Sequence, residues 1–285
     1  LGHMDTVPGI IPIEVREGCI YGRGAVDAKG PLAAFIAAAG RIDVPKDKEI
    51  VVIGAVEEEA ATSKGAHYVL DKYHPDAVII GEPSGWASIT LGYKGRLLMK
   101  YRLVQEMGHR SGLGRSACEK AIDFWNELAA YCDVASEGAK GHFNILEPSL
   151  RGMRSSSDGL RETACFRIGL RVPLGMDLAS LEREIEGLAQ GAEFTFYGQE
   201  VPYRAGKRNA LVRAFTRSIR RQGARPTFKL KTGTSDMNVV APVWQCPIVA
   251  YGPGDSSLDH TPYEHLDLEE YGKAIVVLSQ VLGEL

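Results

Sequence analysis

The apolar positions of this chain fall into two textures. Over residues 1 to about 90, and again from about 204, short apolar runs alternate with helical stretches. That is the pattern of strands buried on both faces of an α/β sheet. Ile50 to Val56 is such a run, rich in β-branched residues, and Ala77 to Ile80 and Pro247 to Ala250 are shorter ones. Leu1 to Val7 reads as the end of another strand, stopped by Pro8-Gly9. Helices are predicted over Leu32 to Ala39, with Pro31 in the first turn, over Ser63 to Tyr73 and over Leu268 to Leu282. Leu211, Val212, Phe215 and Ile219 give the apolar face of one more helix, capped by Asn209.

Between about 91 and 203 the texture changes. Leu97 to Val104, Ala164 to Val172 and Glu193 to Tyr197 read as strands. Ala117 to Tyr131 and Leu178 to Gln190 read as helices, the second capped by Asp177. Gly138 to Asp158 is polar and glycine-rich and is expected to be an irregular strand or loop. The expectation is an α/β main domain with a mainly parallel sheet, 1–90 and 204–285, interrupted by a small α+β domain at 91–203.

Composition narrows the class. The chain has 285 residues, 45% hydrophobic and 24% charged, with net charge -3. This is ordinary globular composition, with no global bias toward nucleic acid or membranes. No apolar run approaches the roughly 20 residues of a membrane span, and no signal-peptide pattern is present. Five scattered cysteines without a C-x-x-C fit a reducing cytoplasm, and neither a disulfide framework nor a cysteine-based zinc site. The chain opens at Leu1 with His3 and Asp5 close behind, and earlier strand and helix material of the main domain is expected to be missing.

Acids and histidines collect at the predicted strand ends. Glu57-Glu58-Glu59 follow the Ile50 run; three adjacent carboxylates need either full solvation or a positive neighbour. In open α/β sheets ligands bind at that end of the strands. His3 and Asp5 are two apart and share a strand face, either as a metal ligand with its carboxylate partner or as a surface pair. Asp27 stands in a glycine-rich loop, Gly22-Arg23-Gly24-Ala25-Val26-Asp27, where it caps the loop or bridges two cations. Glu82 follows the Ala77 strand, and His260 follows the Gly252-Pro253-Gly254 turn. On a parallel sheet these groups converge on one rim. Two histidines and three carboxylates suit two zinc-type cations with one carboxylate shared, and leave one acid free to act as a base. A purely structural reading, with the acids as solvated turns, predicts no metal binding.

A second charge feature is the stretch from Val201 to Ser235, with ten Lys/Arg and no Asp or Glu. Arg213, Arg217 and Arg221 line one helix face at i, i+4 spacing. This is either a solvated face or a surface for an anionic partner; without interleaved aromatics an acidic protein is preferred to nucleic acid.

The motifs G-H-M-D-T-V, G-R-G-A-V-D-A-K-G, V-E-E-E, G-E-P-S, G-H-R-S and D-H-T-P-Y-E occur in that order. Together they resemble the M20 metallopeptidases, co-catalytic zinc amidohydrolases, over essentially the whole chain. The resemblance implies a zinc-peptidase-like catalytic domain with an inserted ferredoxin-like lid that forms a homodimer. It implies two divalent ions, zinc or cobalt: His3 and Glu82 on one, Glu59 and His260 on the other, Asp27 bridging. Asp5 would orient His3, Glu58 would be the general base, and His109 of the lid would donate to the oxyanion. It also implies a cis peptide between Asp27 and Ala28. Two departures are the absent segment before G-H-M-D and Glu57, where the family usually has Asp. Arg171 and the loop residues Gly233, Thr234 and Ser235 are candidates for a substrate carboxylate.

Within the family, V-E-E-E-A-A-T-S-K-G-A, L-G-Y-K-G-R-L and K-T-G-T-S-D-M-N look most like the hydrolases that release lysine or ornithine from a small acidic amino-group carrier protein. The basic stretch would then face that carrier, through Arg213, Arg217 and Arg221. The alternatives are a small-molecule deacylase, for N-acetyl-lysine, N-acetylornithine or succinyl-diaminopimelate, and a non-catalytic binding protein on the same scaffold.

Overall fold

The computed structural model describes residues 1–108 and 114–285. The chain divides into two compact units, one of Leu1–Tyr93, Tyr203–Lys231 and Ser235–Leu285, the other of Lys94–Pro202 and Thr232–Thr234. In chain order the first unit begins with β1 (Gly2–His3), β2 (Glu14–Arg16), β3 (Cys19–Tyr21), α1 (Lys29–Ala39), β4 (Gly54–Ala55), α2 (Lys64–Val69), β5 (Val78–Ile80) and β6 (Ser88–Tyr93). The second unit carries β7 (Gly95–Glu106), α3 (Ala117–Ala135), β8 (Glu147–Ser157), β9 (Arg161–Val172), α4 (Leu178–Gly187) and β10 (Glu193–Glu200). The first unit resumes with β11 (Tyr203–Arg204), α5 (Ala210–Arg221), β12 (Thr227–Lys231), α6 (Asp236–Trp244), β13 (Ile248–Ala250), β14 (His265–Asp267) and α7 (Leu268–Glu284).

In the first unit β13 and β5 are parallel neighbours, and β1 and β4 are another parallel pair. A parallel bridge between Gly2 and Gly81 joins the two pairs. These four strands therefore end on one rim. β6 runs antiparallel to β13 and carries β11 and β12, so the sheet as a whole is mixed. Alternation along β13 divides the core. Val249 and Tyr251 pack with Phe35 of α1, Phe215 of α5 and Leu278 of α7. Ile248 and Ala250 face the other way, with Ala66 and Val69 of α2 and Val240 of α6. A small antiparallel sheet, β14-β3-β2, stands apart.

The Ile50 to Val56 run is not a long buried strand. Only Gly54 and Ala55 pair, with β1, and Val51 and Val56 are 40% and 45% exposed. Among the described residues no strand pairs with its other edge, and Val52 and Ile53 are only partly buried against the two core clusters. Likewise the helix after the acids is short, Lys64–Val69, and ends before Pro75.

In the second unit the strand order β10-β7-β9-β8 is antiparallel throughout, with the ferredoxin-like succession β-α-β-β-α-β. Leu97, Met99 and Tyr101 of β7 and Phe166, Ile168 and Leu170 of β9 turn one face to Phe124 and Leu128 of α3 and Leu181 and Ile185 of α4. Most of the polar segment expected to be irregular forms β8. It has no hydrophobic alternation because it is an edge strand whose side chains are mostly exposed.

Gly30 opens α1 against the loop that carries Asp27. A Cβ there would lie 2.3 Å from the Ala25 carbonyl oxygen and 2.7 Å from Leu266 Cδ2. The carbonyl cannot move without moving the loop. Gly30→Ala is expected to cost about 1–3 kcal/mol of stability, measured by chemical denaturation; an unchanged midpoint would show that the loop yields freely.

Candidate metal centre

Each strand of the parallel group delivers one group to the rim. His3 is the last residue of β1 and is 1% exposed. Beyond β4 the backbone turns through a left-handed residue, Glu57 at φ 60, which carries Glu58 and Glu59 back toward β1. Glu57 itself points away: it accepts from Thr62 Oγ1 at 2.7 Å and pairs with Lys64 at 3.5 Å. Glu82 follows β5 and is buried. Asp27 sits just before α1, and the Asp27–Ala28 peptide is cis. His260 comes from the segment between β13 and β14, with φ 62.

These side chains meet around Asp27. Its Oδ1 lies 3.2 Å from His3 Nε2 and its Oδ2 lies 3.0 Å from His260 Nε2. His260 Nε2 is also 3.1 Å from Glu59 Oε1. Glu58 Oε2 and Glu82 Oε1 each stand 4.0 Å from His3 Nε2. His3, Asp27 and Glu59 offer ligand atoms that all lie within 4.8 Å of one another. The structure thus brings all six of His3, Asp27, Glu58, Glu59, Glu82 and His260 to one place.

The electrostatics follow from burial and crowding. Burial alone would hold the His3 imidazole down, but its bond to Asp27 and the charges of Glu82 and Glu58 push it up to about 11. The bonds to Asp27 and Glu59 raise His260 to about 10. Burial would raise the Asp27 carboxyl, but the bonds to both histidines hold it far below the usual carboxylate range. Glu58 and Glu82 go the other way. Burial raises both well above that range, and the neighbouring carboxylates add to it. Such crowding calls for positive charge. Two protonated imidazoles answer it; two divalent cations held by neutral imidazole nitrogens answer it better. A carboxylate with one oxygen toward each imidazole is the donor set a bridged pair of ions requires, so the residues fit two metals.

The chain matches the model of peptidase family M20/M25/M40 over residues 1–284. It belongs to that family. A LysW-lysine hydrolase of Deinococcus radiodurans is 50% identical, the match covering 100% of this chain and 81% of the relative. Among solved structures, an M20 family metallo-carboxypeptidase of Sulfolobus solfataricus has a TM-score of 0.76 at 20% identity, covering 99% of this chain and 83% of that one. A dinuclear metal binding peptidase of the M20 family from Bacillus subtilis has a TM-score of 0.67 at 14% identity, covering 99% and 79%. The chain is a hydrolase of the M20 family, and no helix among its described residues is long and apolar enough to cross a membrane.

Other members of the sequence-derived site fall differently. The carboxylate of Asp5 is not the direct acceptor for His3: Nδ1 lies 3.0 Å from the Asp5 main-chain carbonyl and 3.7 Å from its Oδ1. The Asp5 carboxylate instead accepts the backbone N–H groups of Glu58 and Glu59, at 3.3 and 3.1 Å. It fixes the backbone of the two acids, while the carbonyl of the same residue meets His3. His109 lies outside the described residues. Ser235 caps α6, its hydroxyl accepting from Met237 N–H at 3.2 Å. In the second unit Arg171 Nη1 donates to Thr234 Oγ1 at 3.3 Å, next to Gly233. Arg217 and Arg221 both hold Glu284, and Arg213 is exposed.

Glu264 is the residue that sequence reasoning missed. It is fully buried, and its Oε1 accepts the N–H groups of Val26 and Asp27 at 3.0 and 3.1 Å. Its Oε2 takes Arg23 Nη1 at 2.9 Å, and the same nitrogen reaches the Thr261 carbonyl at 3.2 Å. Arg23 and Glu264 therefore tie the Asp27 loop to the His260 segment. The signal was present in D-H-T-P-Y-E, whose acid lies four residues beyond the histidine.

Glu264→Gln keeps the shape and removes the charge that balances Arg23. Zinc affinity, measured by chelator competition, should fall about 10- to 100-fold, and Asp27→Ala should abolish tight binding. Wild-type affinity in a folded Glu264→Gln protein would sink the clamp.

Proposed function

We propose that this chain is a two-metal amidohydrolase that releases lysine or ornithine from an acidic amino-group carrier protein. The observation that carries the metal reading is Asp27 held between His3 and His260. The substrate reading draws on the relative named LysW-lysine hydrolase, 50% identical over the whole chain. LysW would be the carrier.

In this reading His3 and Glu82 hold one ion, Glu59 and His260 the other, and Asp27 both. Two divalent ions, zinc or cobalt, polarise the amide carbonyl and lower the pKa of the attacking water when bound. Glu58 takes a proton from that water as oxygen adds to the carbonyl carbon. It delivers the proton to the nitrogen as the C–N bond breaks, leaving a carboxylate on the carrier and a free amine. The buried surroundings that raise its carboxyl suit a group that must both accept and return a proton. His109 is proposed as the oxyanion donor. Arg171, Gly233, Thr234 and Ser235 are proposed to bind a substrate carboxylate.

The outer edge of β8 is unpaired among the described residues, and it is proposed as the edge that meets a second copy. The five cysteines are free, in keeping with a cytoplasmic enzyme. The carrier is proposed to be drawn to α5. Arg217 and Arg221 share the single charge of Glu284, so with Arg213 that face keeps net positive charge.

Glu58→Gln is expected to lower kcat by roughly 10²–10⁴-fold with metal content unchanged; retained turnover would refute the base. Reversing Arg213, Arg217 and Arg221 to Glu is expected to raise KM for carrier-linked substrate and to leave a small N-acyl-lysine unaffected. Equal effects on both substrates would remove the carrier from this face.

A further inference from the structure

The second unit keeps its charges apart. Helices α3 and α4 cover one face of its sheet, and their outer sides carry Glu119, Glu127, Glu184 and Glu186. The other face of the sheet is open. Alternation along β7 and β9 sends Met99, Tyr101, Phe166 and Ile168 to the helices, so Lys100, Arg102, Cys165 and Arg167 point the opposite way. Register brings Arg154 of β8 to the same side, opposite Cys165. Lys100, Arg102, Arg151, Arg154 and Arg167 are all exposed.

The middle of that face is unbalanced. Lys100 stands directly opposite Arg167, and Arg102 and Arg154 flank Cys165 in the next row. Like charges directly opposite one another on a sheet cost stability. At each end the rows are balanced: Glu106 stands opposite Arg161, and Glu200 and Glu147 close the row that runs through Arg96 and Arg171. In the middle rows the one acid is Glu193, held by Arg102 at 2.9 Å. The side chains of Arg151, Arg154 and Arg167 make no hydrogen bond or ion pair among the described residues. Two of them lie across bare backbone. A Cβ on Gly152 would come within 3.0 Å of Arg167 Nη2, and one on Gly169 within 2.6 Å of Arg151 Nε. The glycines leave both guanidiniums against the sheet with their donors unspent, and such a fork takes a carboxylate bidentately.

We propose that this open face seats an acidic polypeptide, and that the polypeptide is the carrier. The choice of the carrier rests on the reading above; the preference for a polypeptide rests on the face itself. No exposed aromatic stands among the cations to stack a base. Tyr197, the aromatic of the middle rows, is half-buried, with Lys100 Nζ 5.6 Å from its ring centroid. Pairing of β8 with a second copy would lengthen the sheet and leave its face open. On α5 both Arg217 and Arg221 are already tied to Glu284, so that helix attracts at a distance. The sheet offers cations that are still free to be matched.

The test uses the full zinc-loaded chain and two labelled probes, an oligo-L-glutamate and a single-stranded oligonucleotide, with binding read by fluorescence anisotropy. KM is measured beside it for carrier-linked lysine and for a small N-acyl-lysine. Lys100→Gln, Arg154→Gln and Arg167→Gln together should weaken oligo-glutamate binding about tenfold and raise KM for the carrier-linked substrate by a similar factor. The small substrate should be unaffected. The denaturation midpoint should hold or rise, because the repulsion between Lys100 and Arg167 is gone. If the triple variant folds poorly, Arg154→Gln alone, on the edge strand, should still cost about two- to fivefold in oligo-glutamate affinity. The proposal is overturned by unchanged oligo-glutamate binding in the variants, by an unchanged KM for carrier-linked lysine, by an equal loss with the small substrate, or by tighter binding of the oligonucleotide than of oligo-glutamate. Absence of carrier-linked turnover in wild type, with oligo-glutamate bound there and lost in the variant, would overturn the carrier reading and leave the acidic-polypeptide face standing.

Discussion

The placement of Asp27 between two imidazoles is the constraint on which the rest of the rim depends. One oxygen faces His3 and the other faces His260, so the carboxylate must be held in one orientation. Its own side chain cannot ensure that. The orientation comes from the backbone behind it, where Glu264 accepts two consecutive N–H groups of the loop, and from Arg23, which balances the charge of Glu264. A buried ion pair adds little net stability. Here it adds geometry, because the same arginine also holds the carbonyl of Thr261, one residue from His260. The two halves of the site, far apart in sequence, are set by one pair of charges.

The three consecutive glutamates show how environment divides one residue type into separate roles. Glu57, in a left-handed conformation, turns outward to Thr62 and Lys64. Glu59 reaches His260, and Glu58 stays enclosed beside His3 without a bond to it. Asp5 makes the division possible by holding the N–H groups of Glu58 and Glu59. A single carboxylate thus serves the backbone of two others, a use that the two-residue spacing from His3 does not reveal.

The site was more legible in the sequence than the fold around it. His3, Glu58, Glu59 and Glu82 stand where apolar runs stop, and the end of a run is visible even when its pairing is not. Strand lengths were less legible: Ile50 to Val56 has the composition of a buried strand, yet two residues pair, because burial there depends on a neighbour that local pattern cannot supply. β8 was hidden for the opposite reason. An edge strand contributes little to a core, so its sequence is polar and resembles a loop. Glu264 escaped because its partners, two backbone N–H groups and the Arg23 side chain, lie more than 230 residues earlier in the chain, where local pattern does not connect them.

The basic stretch illustrates why counting charges is insufficient. Arg217 and Arg221 lie on a solvated helix and share Glu284, so their field is screened within about 10 Å at ordinary ionic strength. Charges so placed act on encounter and rate more than on what is bound. Lys231 belongs to the same run but faces inward, where burial lowers its affinity for a proton and little water screens it. The sequence lays both in one acid-free segment, and only the turn from α5 into β12 separates solvated charges from a half-buried one.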